Sequence, residues 1–181
     1  MTQSASLHPF DVLLEIDKRN HEAVASTAQS AQSAVGAGRL AVRVGSWNLM
    51  LPMEFVAEIV PVPRITRVPG VKSWLLGIAN LRGTILSVVD LPQFLGGGIS
   101  QLTPNSRLVV VRSGEWEYGL LVQDVIGMRH SSRLAAAPPG TSVDPGLNPY
   151  VIEGFESDNQ FWWVFEVNHL LNEPQFLDAI A

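Results

Sequence analysis

Hydrophobic positions along the chain follow two different periods. Over residues 9–20, PFDVLLEIDKRN, Phe10, Leu13 and Leu14 recur at helical spacing, while Asp11, Glu15 and Asp17 weight negative charge towards the start. Pro9 suits a first helical position. The spacing predicts a short amphipathic helix. From 21 to 38 the composition turns to Ala, Ser and Gln. Val24, Ala28, Ala31 and Val35 keep a thin helical stripe, which Gly36 and Gly38 stop. We read residues 1–38 as an N-terminal helix with an Ala/Ser-rich linker.

After Gly38 the period becomes two. RLAVRVG places Leu40, Val42 and Val44 on one face, and SWNLML does the same for Trp47, Leu49 and Leu51. Gly45-Ser46 between them fits a two-residue hairpin turn. MEFVAEIV follows. In PVPRITRVPG three prolines forbid a central strand. SWLLGIANL and GTILSVVDL predict two apolar strands joined at 80–83, and LPQFLGGG predicts one helical turn closed by glycines. SRLVVVRS and EWEYGLLVQDVIGM predict a hairpin turning at Ser113-Gly114. Residues 135–150 form a Pro/Gly-rich loop. YVIEGFES and QFWWVFEV predict a last strand pair, and the tail from 168 is helical. Many short strands with little helix between them indicate small barrels or sandwiches rather than a helix-covered parallel sheet.

Composition narrows the function. Hydrophobic residues make up 46% of the 181 and charged ones 16%, which describes a core-rich globular chain. The net charge is −5 and the only lysines are Lys18 and Lys72, so nothing supplies the clustered cations that a phosphate backbone or an anionic membrane needs. With no cysteine there is neither a disulfide nor a thiol nucleophile. The start lacks the basic and long apolar regions of a signal peptide, and no apolar run approaches the ~20 residues of a membrane helix. His8, His21, His130 and His169 are far apart and form no HxH or HExxH pair, so no metal is expected. Gly96-Gly97-Gly98 is followed by no Lys-Ser/Thr pair and reads as a turn after a helix, not a phosphate loop. Glu153, Glu156 and Asp158 sit at a hairpin tip, where acids meet water. No GxSxG elbow is present. No cofactor site is indicated.

Two features stand out. Trp162 and Trp163 are adjacent in a strand and point to opposite faces. Either one is exposed as an interface anchor, or separate lobes cover both faces. We expect at least one to be exposed, or covered only by another molecule or the terminal helices. In GIANLRGTILSVVDL, Gly83 supplies the backbone freedom for a reversal and Asn80 can cap it. Arg82 is then either a solvated turn residue or a guanidinium fork offered to an acid or a partner.

That stretch resembles the CheW family, the adaptor domains of bacterial chemotaxis arrays. GSWNLMLPMEFVAEIV resembles the family's early hairpin and aligns Glu58. YGLLVQDVIGM and YVIEGFES…FWWVFEVNHLL resemble its later segments, so the likeness spans about 39–172. Ser87 stands where the family usually has proline, and Gln123 and Glu166 stand in place of aspartates. The long N-terminal extension and the ending FLDAIA resemble the branch that serves type IV pilus systems in twitching motility. The resemblance implies a mostly β fold, two small five-stranded SH3-like barrels sharing a core, flanked by N- and C-terminal helices. It divides the chain into 1–38, a CheW-like domain at 39–172 and a helical tail at 173–181. It implies no catalysis, and partners that are the regulatory domain of a CheA-type histidine kinase and the cytoplasmic tip of a methyl-accepting chemoreceptor. The protein would be cytoplasmic and recruited to membrane-associated receptor arrays. Glu58, Asn80, Arg82, Gly83 and Trp162 are the expected partner-binding residues, with Glu58 and Arg82 in ion-pair reach. A reading from another class is a small barrel enzyme or ligand-binding module with its site in loop 131–149.

Overall fold

The computed structural model describes residues 38–113 and 116–179; the predicted N-terminal helix lies outside them. Twelve strands run in chain order: β1 (Gly38–Val44), β2 (Trp47–Pro52), β3 (Val56–Pro61), β4 (Ile65–Thr66), β5 (Leu75–Leu81), β6 (Thr84–Asp90), β7 (Arg107–Ser113), β8 (Trp116–Val122), β9 (Asp124–His130), β10 (Ala135–Ala136), β11 (Val151–Ser157) and β12 (Gln160–Phe165). They form two six-stranded sheets. The first has the order β10-β11-β12-β2-β1-β9, the second β3-β7-β8-β6-β5-β4. Each sheet has one strand more than the five expected. The additions, β4 and β10, are two residues long, sit at sheet edges and come from stretches read as Pro-rich connections. Prolines keep β4 at an edge, where its outer N–H groups need no partner.

Three packed clusters explain why these strands are almost continuously apolar. The largest takes alternate residues from both sheets: Leu40, Val42 and Val44 of β1, Leu49 and Leu51 of β2, Val109 and Val111 of β7, Leu120 and Val122 of β8, and Trp163 and Phe165 of β12. The residues between them point the other way. In the second sheet Val60, Ala79, Leu86, Val88, Leu108, Val110 and Leu121 make a separate small core. In the first, Ala41, Met50, Trp162 and Val164 make another. So each sheet buries one face against the other sheet and curls its second face around a core of its own, the two-lobed SH3-like arrangement.

The chain passes between the sheets at Gln123. The run EWEYGLLVQDVIGM, read as one arm of a hairpin, breaks there into β8 of the second sheet and β9 of the first, and the Gln123 N–H donates to the Arg43 carbonyl at 2.9 Å. The β7–β8 pairing extends to Ser113 opposite Trp116. Among the described residues helix is confined to single turns. Leu91–Phe94 follows β6, and Val167–Leu171 and Pro174–Leu177 form the tail. Phe176 from the tail is buried in the shared core, stacked 5.7 Å from Trp74 and edge-on to Phe94.

Candidate partner-binding site

The β5–β6 connection is a two-residue turn closed by Leu81 opposite Thr84. Both central residues lie at positive φ, Arg82 at 52° and Gly83 at 95°, the sign pattern of a type I′ hairpin turn. Open space surrounds Gly83, so conformation and not room calls for glycine there. The Asn80 side-chain oxygen accepts the Gly83 N–H at 2.8 Å and fixes the reversal.

Arg82 is the anomaly. The left-handed region costs a residue with a Cβ roughly 1–2 kcal/mol. Its guanidinium lies 2.6 Å from the Glu58 carboxylate, with the arginine side chain 77% exposed and the glutamate 31%. An ion pair that wet contributes about 0–1 kcal/mol. The pair therefore does not offset the strain, and Asn or Gly at position 82 would suit the turn better. What the pair does is geometric. β3, which carries Glu58, stands at one end of the second sheet's order, and β5 and β6 lie towards the other. The pair reaches across the curled sheet and aims the arginine.

At the far end of β6, Asp90 is fully buried. Its carboxylate accepts the Gln93 N–H at 3.3 Å, the Ser100 N–H at 2.9 Å and the Ser100 hydroxyl at 2.6 Å. It caps the helical turn and clasps the loop that follows. The sequence marked it only as a charge ending an apolar strand.

The expected exposure at the tryptophan pair is overturned. Trp162 and Trp163 are 2% and 8% exposed. β12 lies inside its sheet, between β11 and β2, and both its faces are covered. Trp163 enters the shared core, while Trp162 packs on Ala41, Met50 and Phe155 under the Arg129 guanidinium, 4.0 Å above its ring. Trp162 therefore offers no surface to a partner. The exposed tryptophan is Trp116, at 73%. Its flanks in the sequence, Gly114, Glu115 and Glu117, were the available signal. Of the acids near the last hairpin, Glu153 pairs with Arg39 at 3.4 Å and Asp158 accepts from the Ser157 hydroxyl.

Loop 131–149 pairs with β11 through Ala135 and Ala136, and two of its polar side chains are engaged within the loop. Asp144 accepts from the Gly146 N–H, and the Thr141 hydroxyl donates to the Pro138 carbonyl. Beside the loop, burial first and the Glu173 carboxylate second push the Tyr150 hydroxyl above its ordinary pKa. That ring packs between Phe94 and Phe165.

Comparison with known proteins agrees with this architecture. The family model of the CheW-like domain matches residues 39–175. Protein PilI of Pseudomonas aeruginosa is 33% identical over 171 residues, covering 94% of this chain and 96% of that one. Protein FrzA of Myxococcus xanthus is 31% identical, covering 76% of this chain and 82% of its own. The crystal structure of the scaffolding protein TtCheW from Thermoanaerobacter tengcongensis superposes with a TM-score of 0.61 at 24% identity, over 72% of this chain and 84% of that one, and shares the fold. With a family model matched across both lobes and a near full-length relative, the chain belongs to the CheW-like domain family.

Proposed function

We propose that the protein is a non-catalytic adaptor that couples a methyl-accepting chemoreceptor to a CheA-type histidine kinase, in a cytoplasmic pathway controlling type IV pilus twitching. The likeness to PilI supports the pathway. Among the described residues no helix is long and apolar enough to cross a membrane. The observation that carries the reading is Arg82, held at positive φ, largely exposed and braced by Glu58, an arrangement that stability alone does not favour. A strained, exposed, oriented side chain is the mark of a residue kept for what it touches.

Isothermal titration of the purified protein against the cognate kinase regulatory domain, and separately against the receptor's cytoplasmic fragment, tests this. Arg82→Ala should weaken binding to at least one of them by tenfold or more while the Tm stays nearly unchanged. Unchanged binding with a lowered Tm would make Arg82 a structural residue.

A further inference from the structure

The first sheet's own core ends in a polar cluster that the adaptor reading does not use. Arg39 and Ala41 lie two residues apart on β1 and so share a face. On that face Ala41 packs with Met50, Trp162 and Val164. Arg129 of β9 stands directly opposite Arg39. Its guanidinium lies over the Trp162 ring, so it turns to the same face. Two arginines are thus neighbours at one end of a small apolar core. Like charges placed directly across a strand pair repel each other.

One acid answers them. Glu153 of β11 meets Arg39 through Nη2 alone, at 3.4 Å, and its side chain is 53% exposed. Among the described residues no carboxylate pairs with Arg129. Two N–H groups of the cluster are also buried without an acceptor from the described residues, Arg39 Nη1 and Trp162 Nε1. The Trp162 side chain is almost wholly buried and Arg39 largely so. Buried donors without an acceptor are rare in folded proteins and costly. Here both orphans are donors, beside two cations and one anion. The deficit is one of negative charge and of acceptors together.

There is room beside the pair. Gly127 of β9 is opposite Ala41, two residues from Arg129, and a side chain there would meet nothing within 4 Å. We infer that the cluster binds a small oxyanion from solution, a phosphate or a short carboxylate. Such an ion carries two or more acceptor oxygens and fits guanidinium forks. One oxygen takes the Arg39 Nη1–H and another the Trp162 Nε1–H, while the charge ends the repulsion between the arginines. Water would supply acceptors but no charge, and the two guanidinium groups would still oppose each other.

The Trp162 indole N–H is a reporter at the site itself. Five tryptophans give five indole signals in a nitrogen–proton correlation spectrum, and Trp162→Phe assigns the one that disappears. The full chain is titrated with sodium phosphate and, separately, with sodium acetate, at an ionic strength held constant with sodium chloride. The Trp162 signal should move downfield and saturate at millimolar concentration while the other four stay in place. Arg39→Gln and Arg129→Gln should each weaken binding tenfold or more, as expected for loss of a charge-assisted hydrogen bond. Arg112→Gln, which removes an exposed arginine paired with Glu117 on the other sheet, should change it less than twofold. A response to only one of the two salts supports the site and names its preferred oxyanion. A Trp162 signal that neither salt moves overturns the inference, and a cross-relaxation peak from that N–H to water would then name water as the acceptor. Parallel movement of all five signals overturns it as a general salt effect, as does unchanged affinity in folded Arg39→Gln and Arg129→Gln. The wild-type titration decides alone if either variant fails to fold.

Discussion

At one end of β6, Arg82 stands in water, in a backbone conformation that a side chain disfavours, touching one carboxylate across the lobe. At the other end, Asp90 is out of water altogether and answered by three hydrogen-bond donors. The two charges are eight residues apart, one in the turn that opens β6 and one at its last residue. Their surroundings give them opposite work. A buried, satisfied carboxylate stabilises the fold through the donors it would leave orphaned if removed. An exposed ion pair contributes almost nothing to stability, so the side chain is free to serve another molecule. Conformational strain points the same way: Asp90 has an ordinary φ of −77°, whereas Arg82 stands at 52°.

Removing the buried charge should give the largest effect. Asp90→Ala strips the cap from the helical turn and leaves two part-buried donors of Ser100 without their acceptor. A loss of about 2–4 kcal/mol is expected, read as a lower urea midpoint with an unchanged slope. A loss under 0.5 kcal/mol would show that water replaces the carboxylate, and the contrast between the two ends would collapse. Ser100→Ala removes only the hydroxyl donor and should cost about 1.5 kcal/mol, the value of a hydrogen bond to a charged group.

Much of this could be read from the chain. Strict alternation in RLAVRVG and SWNLML fixed the faces of β1 and β2, and Leu40, Val42, Val44, Leu49 and Leu51 are all buried together. The Asn80 cap and the Glu58–Arg82 pair are where the turn and the family likeness put them. The tryptophan pair was misjudged for a physical reason. Period two tells which residues share a face, not whether that face is covered, and here both faces of each sheet have a core. The exposure of Trp116 is the same lesson inverted. Its strand, WEYGLLV, is apolar but for Glu117, and the loss of cover at its end depends on where the other lobe stops. The clasp on Asp90 joins residues ten apart through a glycine-rich loop, a pairing no local period announces.

Effects at the exposed end should be smaller and separate stability from binding. Asn80→Ala removes the side-chain acceptor for the Gly83 N–H, an exposed hydrogen bond, and should cost about 0.5–1 kcal/mol. Because the turn then holds Arg82 less firmly, affinity for the partner that Arg82 meets should fall a fewfold. A binding loss as large as that of Arg82→Ala would mean that Asn80 itself touches the partner.

The smallest change in stability is the most informative. Arg82→Asn leaves the chain with Asn-Gly at the two central positions, the pair best suited to a type I′ turn because asparagine tolerates positive φ. It gives up the Glu58 pair, worth about 0–1 kcal/mol, and relieves most of a strain of about 1–2 kcal/mol. The balance is a gain of a few tenths of a kcal/mol up to about 1. Thermal melts should therefore show Arg82→Asn at or slightly above the wild-type Tm, whereas Arg82→Ala, with no such tolerance, should fall at or just below it. Both should bind the partner tenfold more weakly or worse. A protein that is more stable and less able to bind after one substitution could only have been holding that arginine for its partner. If Arg82→Asn were instead destabilised by 1 kcal/mol or more with affinity intact, the Glu58 pair would be the reason for the arginine, and the two ends of β6 would differ in burial but not in role.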